Sequence, residues 1–156
     1  MPAPFRAPAQ TLQPDWIDYN GHLNMAYYMV LFDRGADYAF AEMGLGPEYL
    51  ERSGHSFFSA EAHIRYLREV PPDASVAVEF RILEHDPKRI HQWMELVHED
   101  GWVAATCEIM TLHVDMERKK VSPFPDDVAE LIERMARDHA SLPKPEGVGC
   151  PIGIRR

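Results

Sequence analysis

The sequence predicts an α+β fold in which one antiparallel β-sheet of about five strands is wrapped around one long central helix. Three observations support this prediction. Apolar residues recur at helical spacing over residues 24–43. Later stretches alternate apolar and polar residues, as half-buried strands do, and short turns separate them. A second helical pattern follows near the C-terminus. Strands joined by short turns pair antiparallel, and the apolar face of such a sheet needs a covering layer.

The central helix is predicted from Asn24 to Met43. Asn24 is a residue type that favours the N-cap, and Gly44 favours termination just beyond the last apolar position. The positions at helical spacing are Met25, Tyr28, Met29, Phe32, Ala36, Ala39, Phe40 and Met43. Because Val30, Leu31 and other positions are apolar as well, we expect this helix to be buried on most sides.

Four strands are predicted after the helix, and a short strand is expected before it. Their approximate ranges are 58–66, 75–82, 90–98 and 102–114. Pro71-Pro72-Asp73 marks the first turn between them. Asp100-Gly101 predicts a tight hairpin between the last two. A C-terminal helix starts near Asp126, and a proline-rich tail over about 141–156 is expected to be irregular. We interpret residues 1–156 as a single domain.

Composition and charge argue against two classes of partner, nucleic acids and membranes. The chain has 156 residues, 46% of them hydrophobic, and a formal net charge of −9. This acidic balance argues against a nucleic-acid partner, which usually requires a basic face. No apolar run approaches the roughly 20 residues that span a bilayer, so no membrane partner is expected. Two cysteines without metal or disulfide spacing are typical of a cytoplasmic protein.

Polar residues crowd positions 15–24, directly before the predicted helix. A helix N-terminus presents unpaired N–H groups and the positive end of a dipole, which stabilise a developing oxyanion. A carboxylate beside such amides activates water or attacks a carbonyl itself. Asp18 is the candidate for this role, and Gly21 allows close backbone approach. The side chains that could orient water or a substrate carbonyl are Asn20, His22 and Asn24. Any one of these residues alone is more often a cap or a turn former.

The stretch Asp-Tyr-Asn-Gly-His-Leu-Asn at 18–24, followed by an apolar helix, resembles the signature of hotdog-fold acyl thioesterases of the 4-hydroxybenzoyl-CoA thioesterase-like superfamily. By this resemblance Asp18 matches the catalytic Asp, and Gly21 matches the glycine at the helix entry. The stretch also resembles the Asp-x-Asn-x-His pattern of plant acyl-carrier-protein thioesterases. Those enzymes place a Glu after a Tyr-x-Arg stretch, which Tyr66-Leu67-Arg68-Glu69 resembles, so that Glu69 becomes a further candidate.

Three more stretches, at 63–67, 86–91 and 110–115, resemble a narrower branch that includes betainyl-CoA thioesterases and the thioesterase domain fused to carnitine dehydrogenase. The resemblance implies a hotdog fold and hydrolysis of an acyl-CoA to free acid and CoA. CoA is then part of the substrate, and no separate cofactor is expected. It also implies a homodimer or a dimer of dimers with active sites at the subunit interface. Whether Asp18 attacks the carbonyl or activates water stays open.

Several residues are candidates for substrate binding. They are Tyr28, Glu61, His63, Glu69, Lys88 and Arg89. Lys88-Arg89 and the cluster Arg118-Lys119-Lys120 are the compact basic groups that could meet the CoA phosphates. Glu61 and His63 lie on the polar face of their predicted strand and could reach the acyl group from the partner subunit. Aromatic rings such as Tyr28 suit a quaternary ammonium acyl group through cation–π attraction.

Two other functions stay open on this sequence. A hotdog dehydratase that acts on a hydroxyacyl thioester would use a His and acid pair, such as His22 and Asp18. A non-catalytic acyl-CoA-binding module would use the same scaffold without turnover. A metal site is not predicted, because Pro87 follows His85-Asp86 at once and no second ligand pair has suitable spacing.

Overall fold

The computed structural model describes residues 1–156 and contains one antiparallel sheet, as the sequence predicts. It has three α-helices, of which the two long ones were predicted and the short one at Tyr49–Ser53 was not. Eleven segments make up the fold, one of them a single 3-10 turn. In chain order they are β1 (Phe5–Arg6), β2 (Gln10–Thr11), the 3-10 turn (Pro14–Trp16), α1 (Met25–Glu42), α2 (Tyr49–Ser53), β3 (His55–Tyr66), β4 (Ser75–His85), β5 (Arg89–His98), β6 (Val103–Asp115), β7 (Lys120–Val121) and α3 (Asp126–His139).

The four long strands confirm the prediction of a meander. The sheet runs in the order β1-β4-β5-β6-β3, and every pair is antiparallel. The sheet has seven strands rather than about five, because β1, β2 and β7 are two-residue strands. Segments this short leave no alternation in a sequence. The order leaves β3 as an edge strand, with residues 58–62 exposed along its middle.

The predicted central helix is confirmed, and each of its ends lies within one residue of the predicted position. Its buried side chains include Leu31, Phe32, Ala39 and Phe40, which join one core with inward residues of the sheet such as Phe80. The expectation that the helix is buried on most sides is wrong for a single chain. Its opposite face is exposed, and the residues there include Asp33, Arg34, Asp37 and Tyr38.

The C-terminal tail crosses the outer face of the sheet, the face turned away from α1. Residues 141–156 contain no helix or strand. The guanidinium of Arg81 donates hydrogen bonds to the carbonyl oxygens of Leu142 and Pro143, at 3.2 and 2.9 Å. The carboxylate of Glu108 accepts one from the Gly149 N–H at 2.9 Å. The tail is therefore tied to polar side chains of two strands.

None of the helices combines the length and the hydropathy that crossing a membrane requires.

Gly35 sets the distance between α1 and the sheet. It is buried in the middle of α1, and a Cβ at this position would overlap the side chain of Val78 on β4. Only the absence of a side chain allows the helix to approach β4 this closely. Glycine in a helix interior costs about 1 kcal/mol relative to alanine, so its presence here is explained by packing.

We expect Gly35→Ala to lower the free energy of unfolding by about 1–3 kcal/mol, because overpacking exceeds the gain in helix propensity. Urea denaturation of the wild type and the variant measures this. The double variant Gly35→Ala/Val78→Ala should be more stable than the sum of the single effects, since the new methyl group fills the vacated space. Additive effects in this cycle would contradict the packing argument.

Candidate active site

A tight turn before α1 holds the residues that the sequence singled out. The Asp18 N–H donates to the His22 carbonyl oxygen at 3.0 Å, and the Gly21 N–H donates to the Asp18 carbonyl oxygen at 3.0 Å. Gly21 has a φ of +80°, which favours glycine because it has no Cβ. The turn thus needs glycine at this position in order to bring residues 18 and 22 together.

Three contacts fix where α1 begins. Asn24 is the N-cap, and its side-chain oxygen accepts from the Ala26 N–H at 3.0 Å. The Asn24 N–H donates to the Trp16 carbonyl oxygen at 2.9 Å, and the Leu23 N–H donates to the Val70 carbonyl oxygen at 3.1 Å. The helix start is therefore held between the segment before the turn and the segment after β3.

The Asp18 carboxylate has one oxygen in use and one free. Its Oδ1 accepts from the Asn20 N–H at 2.8 Å, which closes an Asx turn. No group of the chain donates to Oδ2. The side chain is half-buried, so it is open to a ligand without being fully solvated. This arrangement fixes the direction of the carboxylate and leaves an oxygen that can take a proton or attack a carbonyl.

The backbone amides at 21–24 are mostly occupied. Those of Gly21, Leu23 and Asn24 donate to carbonyl oxygens of the chain. The N–H groups of His22 and Met25 have no acceptor among the hydrogen bonds of the chain. These two donors flank the helix start and are available to a ligand oxygen.

His22 and Glu69 come together across the turn. The Nε2 of His22 lies 3.4 Å from Oε2 of Glu69, within ion-pair distance. The Nδ1 of His22 is buried and has no hydrogen-bond partner. Glu69 directly precedes Val70, whose carbonyl oxygen anchors Leu23, so the backbone places Glu69 beside the turn.

Tyr28 is a buried phenol in the same corner. Burial raises the pKa of its hydroxyl, and a hydrogen bond with the Val70 backbone opposes that rise. The charges of Glu69 and Asp18 raise this pKa further. The ring of Tyr28 meets Tyr66 edge to face, with centroids 5.0 Å apart.

Tyr66 supports the first turn of α1, a contact that sequence reasoning missed. Its hydroxyl donates to the Met25 carbonyl oxygen at 3.2 Å. Tyr66 belongs to the stretch Tyr66-Leu67-Arg68-Glu69, which already made Glu69 a candidate. The sequence therefore pointed to this stretch, but the contact of Tyr66 with a residue 41 positions earlier can be seen only in the folded chain.

The other predicted residues lie elsewhere in a single chain. Glu61 and His63 are on the outer face of the sheet, where they line a cavity of about 470 Å³ with Glu108 and the C-terminal tail. Lys88 and Arg89 lie at the turn between β4 and β5. The structure therefore groups Asp18, Asn20, Gly21, His22, Asn24, Tyr28 and Glu69 at the start of α1, and it does not bring Glu61, His63, Lys88 or Arg89 to them.

No group of three or more His, Cys, Asp or Glu side chains is placed to hold a metal ion.

Comparison with known proteins defines the class. The family profile of the thioesterase-like superfamily matches residues 12–132. A Staphylococcus aureus protein solved in complex with CoA superimposes with a TM-score of 0.92 at 27% identity, over 99% of this chain and 98% of that one. A putative thioesterase from Pseudomonas putida superimposes with a TM-score of 0.85 at 32% identity, over 100% and 99%. The chain belongs to the thioesterase-like superfamily, and it is a hotdog-fold thioester hydrolase.

Two curated relatives lie within a narrower group. The chain is 40% identical over 142 residues to the betainyl-CoA thioesterase of Pseudomonas aeruginosa. This match covers 90% of this chain and 89% of that protein. It is 35% identical over 155 residues to the L-carnitine dehydrogenase/betainyl-CoA thioesterase of Rhizobium meliloti. That match covers 98% of this chain and 31% of the longer protein. The resemblance to the betainyl-CoA thioesterase branch is thus confirmed.

We expect Asn24→Ala to lower the free energy of unfolding by about 1 kcal/mol, because it removes the side-chain acceptor of the Ala26 N–H. Asn24→Asp keeps an acceptor at the same position and should recover most of the stability. Urea denaturation of both variants tests the cap, and equal losses in the two would contradict it.

Proposed function

We propose that the protein hydrolyses an acyl-CoA thioester with Asp18 as the reacting carboxylate. The observation that carries this proposal is the position of the Asp18 Oδ2. It is the free oxygen of a carboxylate held by an Asx turn, next to a helix start with two unoccupied N–H groups. Such an arrangement supplies both an attacking group and donors for the oxyanion of an acyl transfer.

The reaction follows from these groups. Asp18 takes a proton from water, and the resulting hydroxide attacks the thioester carbonyl. The carbonyl oxygen becomes an oxyanion that accepts from the N–H groups of His22 and Met25. The tetrahedral intermediate then collapses, the carbon–sulfur bond breaks, and the CoA thiolate takes the proton from Asp18. In the alternative route Asp18 attacks the carbonyl directly, and the carbon–sulfur bond breaks to release the CoA thiolate and leave an anhydride on Asp18. Water then hydrolyses this anhydride, which frees the acid and regenerates the carboxylate, and the thiolate takes up the proton that the water loses.

Glu69 and His22 orient the site in this proposal. The ion-pair contact of 3.4 Å between them restrains the imidazole whose own backbone N–H is one of the oxyanion donors. Asn20 contributes the N–H that holds the Asp18 carboxylate, and Asn24 fixes the helix start. Gly21 permits the turn that brings these groups together.

The acyl group is proposed to be small and cationic, as in a betainyl thioester. The names of both curated relatives support this choice. The site adds a chemical reason, because two carboxylates and two aromatic rings meet there: Asp18, Glu69, Tyr28 and Tyr66. Carboxylates and aromatic faces attract a quaternary ammonium, whereas neither group would favour an anionic acyl chain.

A homodimer, or a dimer of dimers, is proposed to complete the site. The edge of β3 is exposed, and apolar side chains near it are open to solvent, namely Met25, Phe58, Tyr66 and Leu67. Unpaired strand edges readily pair with a second chain. A partner would also supply Glu61, His63, Lys88 or Arg89 to a site that lacks them within one chain.

One contact favours a second candidate, a hydroxyacyl-thioester dehydratase. An imidazole beside a carboxylate is the arrangement for removing a proton and protonating a leaving hydroxyl, and His22 and Glu69 provide it. The two functions differ in their products. Hydrolysis releases free CoA thiol, whereas dehydration leaves the thioester intact and forms a double bond.

We expect Asp18→Asn to lower kcat for thioester hydrolysis at least 1,000-fold, since the amide cannot act as a base or nucleophile; losses of this order follow removal of a catalytic group. The amide oxygen can still accept from the Asn20 N–H, so folding should be retained. Thiol release measures the activity, and circular dichroism checks the fold.

Asp15→Asn is the matched control for this variant. Asp15 is an exposed carboxylate three residues earlier, and its replacement should leave kcat within about twofold of the wild type, as for surface substitutions generally. Full activity of Asp18→Asn, or an equal loss in Asp15→Asn, would contradict the assignment of Asp18.

A thiol-release screen tests the substrate class. We expect kcat/KM for betainyl-CoA to exceed that for 3,3-dimethylbutanoyl-CoA, its uncharged isostere, by about tenfold or more, because desolvated cation–π contacts contribute about 2 kcal/mol. Glu69→Gln should reduce this preference. A higher kcat/KM for an aromatic or long-chain acyl-CoA would contradict the cationic acyl group.

A further inference from the structure

A cavity of about 410 Å³ that is open to solvent adjoins the candidate active site. It is lined by His22 and Glu69 from the site, by Arg68 and Pro71 beside them, and by three residues at the hairpin between β5 and β6: His98, Asp100 and Trp102. The volume lies within the range of small-molecule pockets. His22 and Glu69 belong both to this lining and to the candidate site, so the cavity lies next to the position proposed for the thioester.

The Arg68 side chain is held in place by an aromatic stack. Its guanidinium carbon lies 4.1 Å from the centroid of the Trp102 ring. The His98 imidazole stacks on Trp102 as well, with centroids 4.3 Å apart and planes 10° from parallel. The backbone is fixed too, because the Arg68 N–H donates to the Ala104 carbonyl oxygen at 3.0 Å. Stacking restrains the guanidinium while its N–H groups stay open to an acceptor.

Arg68 has no carboxylate partner, although two carboxylates line the same cavity. Glu69 lies 3.4 Å from His22, and Asp100 lies 3.6 Å from Nδ1 of His98. Each acid is therefore within ion-pair distance of an imidazole rather than of the guanidinium. The cavity presents an unpaired, oriented cation beside the site of a thioester hydrolase.

Two arginines of the basic clusters that the sequence favoured for CoA already have acidic partners. Arg89 is bound to the carboxylate of Asp86, to which its Nε donates at 2.7 Å. Arg118 lies 3.8 Å from the carboxylate of Asp115. An arginine that already has an acidic partner offers less to a phosphate than one without.

We propose that Arg68 binds the phosphorylated half of the CoA moiety while the thioester lies at Asp18. The inference rests on the proposed function, since it assigns a binding residue to the end of the acyl-CoA that lies away from Asp18. Arg68 then determines specificity for CoA thioesters over thioesters without phosphate. Trp102 positions the guanidinium, and the pantetheine arm runs through the cavity past His22 and Glu69.

Steady-state kinetics with two substrates test this role. The substrates are an acyl-CoA and the same acyl group on N-acetylcysteamine, a thiol that carries no phosphate. For Arg68→Ala we expect KM for the acyl-CoA to rise about tenfold, the loss of one charge-assisted contact, with kcat within about twofold. KM for the N-acetylcysteamine thioester should not change. Arg68→Lys should recover part of the effect, because it keeps the charge.

Two comparisons complete the design. Arg137→Ala, which removes an exposed arginine of α3 paired with Glu133, should leave both KM values unchanged. Arg89→Ala tests the rival position, and a rise in acyl-CoA KM in Arg89→Ala but not in Arg68→Ala would overturn the proposal. An equal rise of KM for both substrates in Arg68→Ala would also overturn it, since the residue would then act on the site and not on phosphate.

Calorimetric titration with CoA itself separates this proposal from the proposed function. Weaker binding of CoA to Arg68→Ala than to the wild type supports the phosphate contact even if no thioester is hydrolysed. Unchanged CoA affinity, with hydrolysis intact in the wild type, overturns the contact and leaves the thioesterase assignment in place.

Discussion

The anchoring of the start of α1 is the constraint on which the candidate site depends. Backbone hydrogen bonds tie Leu23 to Val70 and Asn24 to Trp16, so that the first turn is held between two segments distant in sequence. Those bonds also occupy most of the local amides, which leaves the N–H groups of His22 and Met25 as donors for a ligand. The same anchoring places Glu69 next to His22, because Glu69 directly precedes Val70. The same hydrogen bonds therefore fix the helix start and the positions of the candidate site residues.

The net charge of the chain opposes binding of CoA, whereas the charges around Arg68 are arranged to favour it. The chain carries a formal net charge of −9, which disfavours the approach of a polyanionic coenzyme. Glu69 and Asp100, the carboxylates beside the candidate site, are within ion-pair distance of imidazoles, whereas Arg68 is held by Trp102 and has no acidic partner. A single oriented cation can then act at short range within an acidic field. The same negative charge that opposes CoA is compatible with the cationic acyl group proposed to bind at Asp18 and Glu69.

Much of the fold follows from local pattern. Apolar spacing and the Asn24 cap located α1, and alternation with turn residues located the four long strands. The two-residue strands and α2 carry no such pattern, since each is stabilised by partners from other parts of the chain. The candidate site likewise has a part that local sequence predicts and a part that depends on distant residues. Asp18, Gly21 and His22 share one turn and could be grouped by adjacency, but the contacts of Tyr66 and Arg68 depend on residues more than 30 positions away.

The amino-acid sequence by itself determined the fold class, the central helix with its cap, and the polar turn that precedes it, because each depends on neighbours within a few residues. Only the tertiary structure decided which amides stay free, which acid lies beside His22, and that Arg68 stacks on Trp102 without an acidic partner. Hydrogen bonds and ion pairs of this kind join segments whose separation in space is set by packing, and Gly35 against Val78 is one of the contacts that sets it.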